Sequence, residues 1–356
     1  MLATSRKLAI EKMKCLIQYC NTNYIKLQIT KCGMMCVNGN EEEDAQPMVF
    51  EKIKIDVTKC EVYLGSAITD SVRIIDDVNE DIKLRQTSVV KYFAFLINNF
   101  YAPIDVKLKV LDACLLSSLL YNAETWADAK FERLEIVYKR MLKSTLGVGM
   151  TTCTEFLYVE LGILSLKTRV MMKQWVFWNK VLNMEDSNPI IYVINLARRY
   201  NLKEVRYYDM LVERYDSVDE IVSEFYEENK MKIRTKAGSG RSKYVTYLEI
   251  NPDLETPKIY HNIWSMNHVS MIAKLRTSSH NLQVEMGRRT RTARELRLCY
   301  CEKSVEDETH FLTECELYDE IRRQHRVVDI SVAQILSDEK FIAFIAELFK
   351  KRKEFV

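Results

Sequence analysis

Between about Asp76 and Glu228 the chain offers almost nothing that would stop a helix. Only Pro103, Pro189 and a few glycines interrupt that stretch. Proline removes a backbone donor and glycine adds backbone entropy, so a segment nearly free of both is expected to form long helices. The whole chain has 9 Gly and 5 Pro in 356 residues, with 47% hydrophobic and 29% charged residues. That balance excludes disordered and collagen-like chains and predicts a mainly α protein. The length exceeds what one hydrophobic core usually serves, so two or three packed units are expected. Trp126, Trp175, Phe177, Trp178, Met171 and Met172 fall in the helical stretch and are expected to pack its core.

The flanks read differently. From Ser5 to about Thr22, Leu8, Ile10, Met13, Leu16, Ile17 and Cys20 recur as one face of a helix that Ser5 could cap. Tyr24 to Val37 then places Ile25, Leu27 and Ile29 on one parity, which predicts a strand, and Asn38 to Asp44, with Gly39 and the acidic run Glu41 to Asp44, predicts a loop. Val49 to Ile55 and Lys59 to Ile68 are β-rich. The expected organisation is a small N-terminal α+β piece over 1–68 and a helical connector over 69–233. A flexible basic linker over 234–243 then leads to a C-terminal unit over 244–356, closed by an amphipathic helix near Val332 to Phe349.

Lys+Arg of 52 against Asp+Glu of 50 leaves a net charge of +2, so any nucleic-acid or membrane partner must be met by a local patch. The longest uncharged stretch, Tyr92 to Ile104, is about 13 residues, short of the roughly 20 a membrane span needs. No membrane partner is expected. Ten cysteines in a chain this long do not make a disulfide scaffold, and the residues after Met1 lack the apolar core of a signal peptide. Reduced thiols and an intracellular location, nucleus or cytoplasm, are therefore expected. One local patch stands out. Between Met271 and Cys299, Lys274, Arg276, Arg288, Arg289, Arg291, Arg294 and Arg297 face only Glu285 and Glu295, a local sum of 7 − 2 = +5. Such a stretch either bridges phosphates or is a solvated charged face.

Cys299, Cys301, His310 and Cys315 form a Cys-x-Cys-x8-His-x4-Cys array. Three thiolates and an imidazole suit a tetrahedral Zn²⁺, and a closed set of four leaves no position for water, which makes the site structural. Side chains at i and i+2 of an extended segment point the same way, so Cys299 and Cys301 could converge on one ion. The other reading is three buried thiols and a helix-start histidine. Asp76 and Asp77, followed by Glu80 and Asp81 at helical spacing, are expected to be helix-start charges and not a catalytic pair. His261, His268, His280 and His325 have no Ser or Cys arrangement that suggests a nucleophile.

Around the array lie Arg276-Thr277-Ser278-Ser279-His280-Asn281-Leu282, Glu285, Gly287, Arg288, Arg294, Arg297 and Leu298, then Val305 to His310, Phe311, Leu312, Leu317 and Tyr318. This resembles the C-terminal cysteine-histidine segment of non-LTR (LINE-type) retrotransposon reverse transcriptases. Leu119 to Trp126 is similar to the helix motif after the polymerase domain of that family, and Tyr63-Leu64-Gly65 to its primer-grip turn. Ile29-Thr30-Lys31 is similar to a palm motif whose lysine the family uses to protonate pyrophosphate, and Leu2 to Arg6 to the strand after its catalytic hairpin. The resemblance covers nearly the whole chain, with 185–245 least matched. It implies the end of a reverse-transcriptase palm, a helical thumb-like region and a C-terminal zinc-knuckle-like unit, with structural Zn²⁺ and with RNA or DNA, the element's RNA or its target, as partner.

Polymerase chemistry needs carboxylates holding two metal ions about 4 Å apart. The family's upstream Asp strand and Tyr-x-Asp-Asp hairpin have no counterpart here, so Mg²⁺ belongs to the full-length parent and Lys31 has no reaction to assist. The expectation is a truncated segment that binds nucleic acid and polymerises nothing. The alternatives are part of a complete RNA-directed DNA polymerase whose catalytic half was lost from the gene model, or a decayed or co-opted binding protein.

Overall fold

Ser5 sits in extended backbone and accepts the Leu8 N–H at 3.2 Å, the cap that starts helix α1 (Arg6–Thr22). The computed structural model describes residues 1–39, 46–50, 53–263 and 265–355, with backbone alone for Gln86, Thr87 and Asn262. Most of the predicted Asn38 to Asp44 loop lies outside the described residues. The chain divides into two compact units, residues 1–86 with 128–131, and residues 87–127 with 132–356.

In the smaller unit, α1 lays Met13 against Met48, Phe50 and Ile55. These come from a hairpin of β1 (Met48–Phe50) and β2 (Ile53–Ile55), paired Met48↔Ile55 and Phe50↔Ile53. A second hairpin, β3 (Cys60–Tyr63) with β4 (Ser66–Thr69), turns on Leu64 at φ 50° and Gly65 at φ 83°. Two left-handed residues in a two-residue loop are what a type I′ turn requires, so Gly65 serves the hairpin itself. The predicted strand over Tyr24 to Val37 is absent. Its backbone is irregular apart from a short 3₁₀ turn (Ile29–Lys31) and one parallel bridge, Met34↔Val57. Leu27 and Ile29 reach the Met13 core from that turn while Ile25 stays exposed, so core packing uses the apolar residues without strand pairing.

Helix α2 (Ile74–Asn98) begins with the acidic residues flagged above, and each has local work. Asp77 accepts the Thr69 N–H at 2.7 Å and hydroxyl at 2.6 Å, Asp81 accepts the Ala67 N–H at 2.7 Å, and Asp76 holds Ser71 and Arg73. They tie the edge of β4 to the helix.

The larger unit is helical: α3 (Ile104–Val110), running through a π-helical stretch into α4 (Ser117–Leu119), then α5 (Glu132–Leu146), α6 (Thr154–Leu161), α7 (Leu166–Leu182), α8 (Pro189–Arg199), α9 (Lys203–Arg214), α10 (Val218–Gly238), α11 (Ser242–Ile250), α12 (Met266–Arg276), α13 (Gln283–Arg289), α14 (Asp319–Gln324), α15 (Val332–Ile335) and α16 (Ile342–Arg352). Ser165, Asn188 and Ser217 cap α7, α8 and α10 with their side chains. The Leu119 to Trp126 motif is a turn between helices. Asn122 takes φ 60°, Trp126 is buried, Gln174 donates to the Ala127 carbonyl at 2.8 Å, and Tyr208 donates to the Glu124 carbonyl at 2.6 Å.

The predicted linker is mostly structured. α10 runs to Gly238, and Ile233 and Ala237 pack with Phe156, Tyr244 and Tyr247, so only Ser239 to Arg241 turn the chain before α11. Burial of Ile233 overrides the flexible composition that follows it. The predicted terminal helix is two pieces, α15 and α16, broken around Leu336 to Phe341. Among the described residues no helix is long and apolar enough to cross a membrane.

At the centre of the larger unit is a buried carboxylate. Glu160 in α6 accepts Arg276 Nε at 2.8 Å and Nη2 at 3.0 Å, the Tyr247 hydroxyl at 2.8 Å, and the Tyr260 hydroxyl. Arg276 Nη1 continues to the Leu336 carbonyl at 3.2 Å. Burial works against the Arg276 charge, but Glu160 more than offsets this and raises its pKa. Removing one partner of such a pair strands the other: Glu160→Gln is expected to lose about 3–5 kcal/mol in urea denaturation. A loss below 1 kcal/mol would show that the pair does not organise this core.

Lys107 in α3 is a buried cation whose ammonium donates to the Phe100 carbonyl at 2.9 Å. Burial pulls its pKa from 10.5 down to about 8. At Lys107 the unfolded chain therefore binds more protons than the folded one between about pH 8 and 10.5, and the contribution of this one residue to stability rises with pH across that window. Lys107→Met is expected to be the more stable protein at pH 7, and thermal melts of the two proteins across this window should show its advantage shrink by on the order of 1 kcal/mol as pH rises.

Candidate metal centre

Leu298 and Val305 face each other in one antiparallel bridge, and the residues between them make the tight turn that carries the first two thiols. The Cys299 N–H donates to the Ser304 carbonyl at 2.8 Å, and the Glu302 N–H to the Cys299 carbonyl at 2.8 Å, with Glu302 itself at φ 63°. Cys299 and Cys301 therefore converge through a turn and not through the strand parity expected above.

The other two ligands come from a widened helical turn. Asp307 accepts the His310 N–H at 3.0 Å and starts it. Residues His310–Glu314 are π-helical, and the Cys315 N–H donates back to the His310 carbonyl at 2.8 Å. Such π turns insert one extra residue and often mark functional positions.

The four side chains meet. Cys299, Cys301, His310 and Cys315 place their ligand atoms within 4.8 Å of one another, with Cys299 Sγ to Cys315 Sγ at 3.5 Å and Cys301 Sγ to His310 Nε2 at 3.2 Å. A tetrahedral Zn²⁺, with bonds of about 2.3 Å to sulfur and 2.0 Å to nitrogen, sets its ligand atoms roughly 3.5–3.8 Å apart. The donor set and spacing fit a zinc ion. His310 turns Nε2 to the cluster, and its Nδ1 lies 3.5 Å from the Glu314 carboxylate. Burial raises the Cys299 and Cys315 thiols. It also pushes Cys301 up, but the Lys303 N–H and the His310 ring outweigh it, leaving Cys301 at about 7. Among the described residues, which include all ten cysteines, none forms a disulfide.

A buried polar frame holds the cluster. Glu306, directly after the bridge, accepts Arg352 Nε at 2.6 Å and Nη2 at 2.7 Å and the Gln283 N–H at 2.7 Å. Glu308 accepts the Ser278 hydroxyl and His280 Nε2, each at 2.8 Å, while His280 Nδ1 accepts the Leu282 N–H at 3.2 Å. Burial pushes the Glu308 carboxyl up, but His280 and Ser278 reverse this and hold it at about 2. The Arg276 to His280 motif is thus wholly buried and structural.

Several expected nucleic-acid contacts turn inward. Arg276 is committed to Glu160 and is 2% exposed, so phosphate contact is not open to it. Arg288 pairs with Glu285 and donates to Ser242 at 2.7 Å, while Arg294 stays exposed and pairs with Asp307 at 3.2 Å. Arg297 donates to the Thr292 and Val284 carbonyls, and its stem lies against Gly287, where a Cβ would come within 2.5 Å. Lys274 is half-buried, whereas Arg289 and Arg291 are exposed, with Arg289 donating to the Met286 sulfur at 3.6 Å. A cleft of about 430 Å³ is lined by Arg288, Arg294 and Arg297, but Glu249, Glu285, Asp307 and Glu308 line it too, so its charges offset.

Elsewhere, Lys31, Tyr63 and Leu64 are exposed, and the Gly65 carbonyl accepts Arg85 at 3.0 Å. His261 pairs with Asp105 and His325 with Glu347, each at 2.8 Å. Glu306 and Arg352 escaped sequence reasoning because Arg352 sits in the run Lys350-Lys351-Arg352-Lys353, which looks like a solvated tail. No family model, curated protein or solved structure matches the chain.

Purified protein should carry about one zinc per chain by elemental analysis. Cys301→Ser and Cys315→Ser should each bring it near zero and lower the melting temperature. A fully folded, metal-free wild type would leave these side chains as ordinary packing.

Proposed function

We propose that this chain is a zinc-stabilised, nucleic-acid-binding segment of the kind found at the C-terminal side of non-LTR retrotransposon reverse transcriptases, with no polymerase chemistry of its own. The observation that carries the reading is the convergence of Cys299, Cys301, His310 and Cys315 in one folded unit with two exposed arginines, Arg289 and Arg291. The metal would hold the turn and the widened helix together. Arg297, bonded to the Thr292 carbonyl, would then fix the loop that presents Arg291.

The absence of polymerisation is supported by what the acidic residues are doing. Asp76, Asp77 and Asp81 are spent on Ser71, Thr69 and Ala67. Among the described residues the metal-type cluster found is the cysteine-histidine one, whose soft donors suit zinc and not magnesium. The partner in this reading is RNA or DNA, met through phosphates, so affinity should fall with salt and depend little on sequence.

Binding of a labelled oligonucleotide across a salt series tests the assignment. Replacing Arg289 and Arg291 together with Ala should reduce the log–log salt slope by about one to two, since each phosphate contact contributes roughly 0.7–0.9. Arg288→Ala should leave the slope unchanged. An unaltered slope in the double variant assigns both arginines to a solvated face, and primer extension by the purified chain with Mg²⁺ would overturn the non-catalytic reading.

A further inference from the structure

The cleft of about 430 Å³ beside α13 has the size of a small-ligand pocket, and most of its charged groups are already spent. Arg288 is held by Glu285 and Ser242, and Arg297 by the Thr292 and Val284 carbonyls. Glu285 also receives Lys243 at 2.8 Å, Glu308 is turned to Ser278 and His280, and Asp307 accepts the His310 N–H.

Four polar side chains of the lining keep capacity for a ligand. Among the described residues the Glu249 carboxylate and the Thr246 and Thr309 hydroxyls have no partner, and Arg294 spends only Nη2, on Asp307 at 3.2 Å. Glu249, Thr309 and Arg294 are exposed and Thr246 is half-buried, so all four can be reached from solvent. Val245 and Val284 add apolar wall.

A phosphate is a poor occupant, because four carboxylates line the same space. A flat, uncharged group with paired donors and paired acceptors is a good one. A free carboxylate sets two acceptors side by side and selects two adjacent donors, whereas a guanidinium selects two adjacent acceptors. Guanine carries both, N1–H beside its N2 amino group on one edge and O6 beside N7 on the other. Adenine and cytosine offer one amino group next to an acceptor, and thymine one N–H between two carbonyls. Arg289 directly follows Arg288, which lines the cleft. A strand held through phosphates by Arg289 and Arg291 therefore brings its bases to the cleft's edge.

We propose that this cleft takes one unpaired guanine of a single strand, with Glu249 accepting from N1–H and the N2 amino group and Arg294 donating to O6 and N7. The valines pack on the ring, and the two hydroxyls serve the sugar. Glu249 and Arg294 are thus specificity-determining residues, and the inference rests on the nucleic-acid reading above.

Anisotropy of the full chain with labelled hexathymidylate, and with the same strand carrying one central guanine, adenine, cytosine or hypoxanthine, tests this. The guanine strand should bind about 10-fold tighter than the others, since a bidentate base contact discriminates by roughly that much. Hypoxanthine, which lacks the N2 amino group, should lose most of the gain. Glu249→Gln alters an exposed, unpartnered side chain, and should bring the guanine strand to the level of the rest with its salt slope unchanged, because no phosphate contact is removed. Wild type that binds every strand alike, or Glu249→Gln that keeps the preference, overturns this inference alone. Should Glu249→Gln fail to fold, the hypoxanthine strand decides: equal affinity for guanine and hypoxanthine removes the carboxylate contact. Wild type that binds none of the strands overturns the nucleic-acid reading itself.

Discussion

Glu160 has no route to water, and the larger unit is arranged around that fact. An isolated buried carboxylate costs several kcal/mol, so its oxygens must be met. The donors come from far along the chain: Tyr247, Tyr260 and Arg276 lie 87, 100 and 116 residues away. α11, the turn that carries Tyr260, and α12 therefore have one mutual register in which no charge is left bare. An apolar set of the same volume could give equal stability, but it would tolerate sliding that the bidentate Arg276 contact does not.

From Arg276 the same logic runs to the cysteine-histidine turn. Thr277 bonds back to the Ala273 carbonyl at 2.7 Å, Ser278 and His280 take Glu308, and the Asn281 carbonyl receives Arg352 at 3.0 Å. Glu306 and Glu308 stand between the bridge at Val305 and the ligand His310, so the frame and the metal ligands share one short stretch. Cys-x-Cys spacing brings two sulfurs together without a strand, because the turn closed by the Glu302 N–H reverses the chain between Leu298 and Val305. The π turn then sets Cys315 relative to His310. A metal bound by these four side chains would thus constrain the same short stretch that the ion pairs already hold.

What could be read beforehand was local. Ser5 and the apolar spacing after it announced α1, the scarcity of Gly and Pro announced the helices, and four soft ligands announced one another. What could not be read was set by contacts distant in sequence. Tyr24 to Val37 has strand-like parity, yet Leu27 and Ile29 find their core from a 3₁₀ turn. Residues 234–238 look flexible until Ile233 and Ala237 meet Phe156 and Tyr244. Arg352 looks solvated until Glu306, 46 residues upstream, claims it.

The arginine-rich stretch shows most clearly why a charge sum along the chain misleads. Its excess of +5 assumes that only Glu285 and Glu295 are near. Folding brings in Glu160 and Asp307, and turns Arg297 onto backbone carbonyls. Of the arginines left exposed, Arg294 is paired with Asp307, and Arg289 and Arg291 lie at and just past the C-terminal end of α13. Cations at a helix C-terminus are stabilised by about 0.3–1 kcal/mol through the carbonyls exposed there. A cation at this helix end is therefore stabilised without a carboxylate partner, whereas Arg276 and Arg294 draw on Glu160 and Asp307.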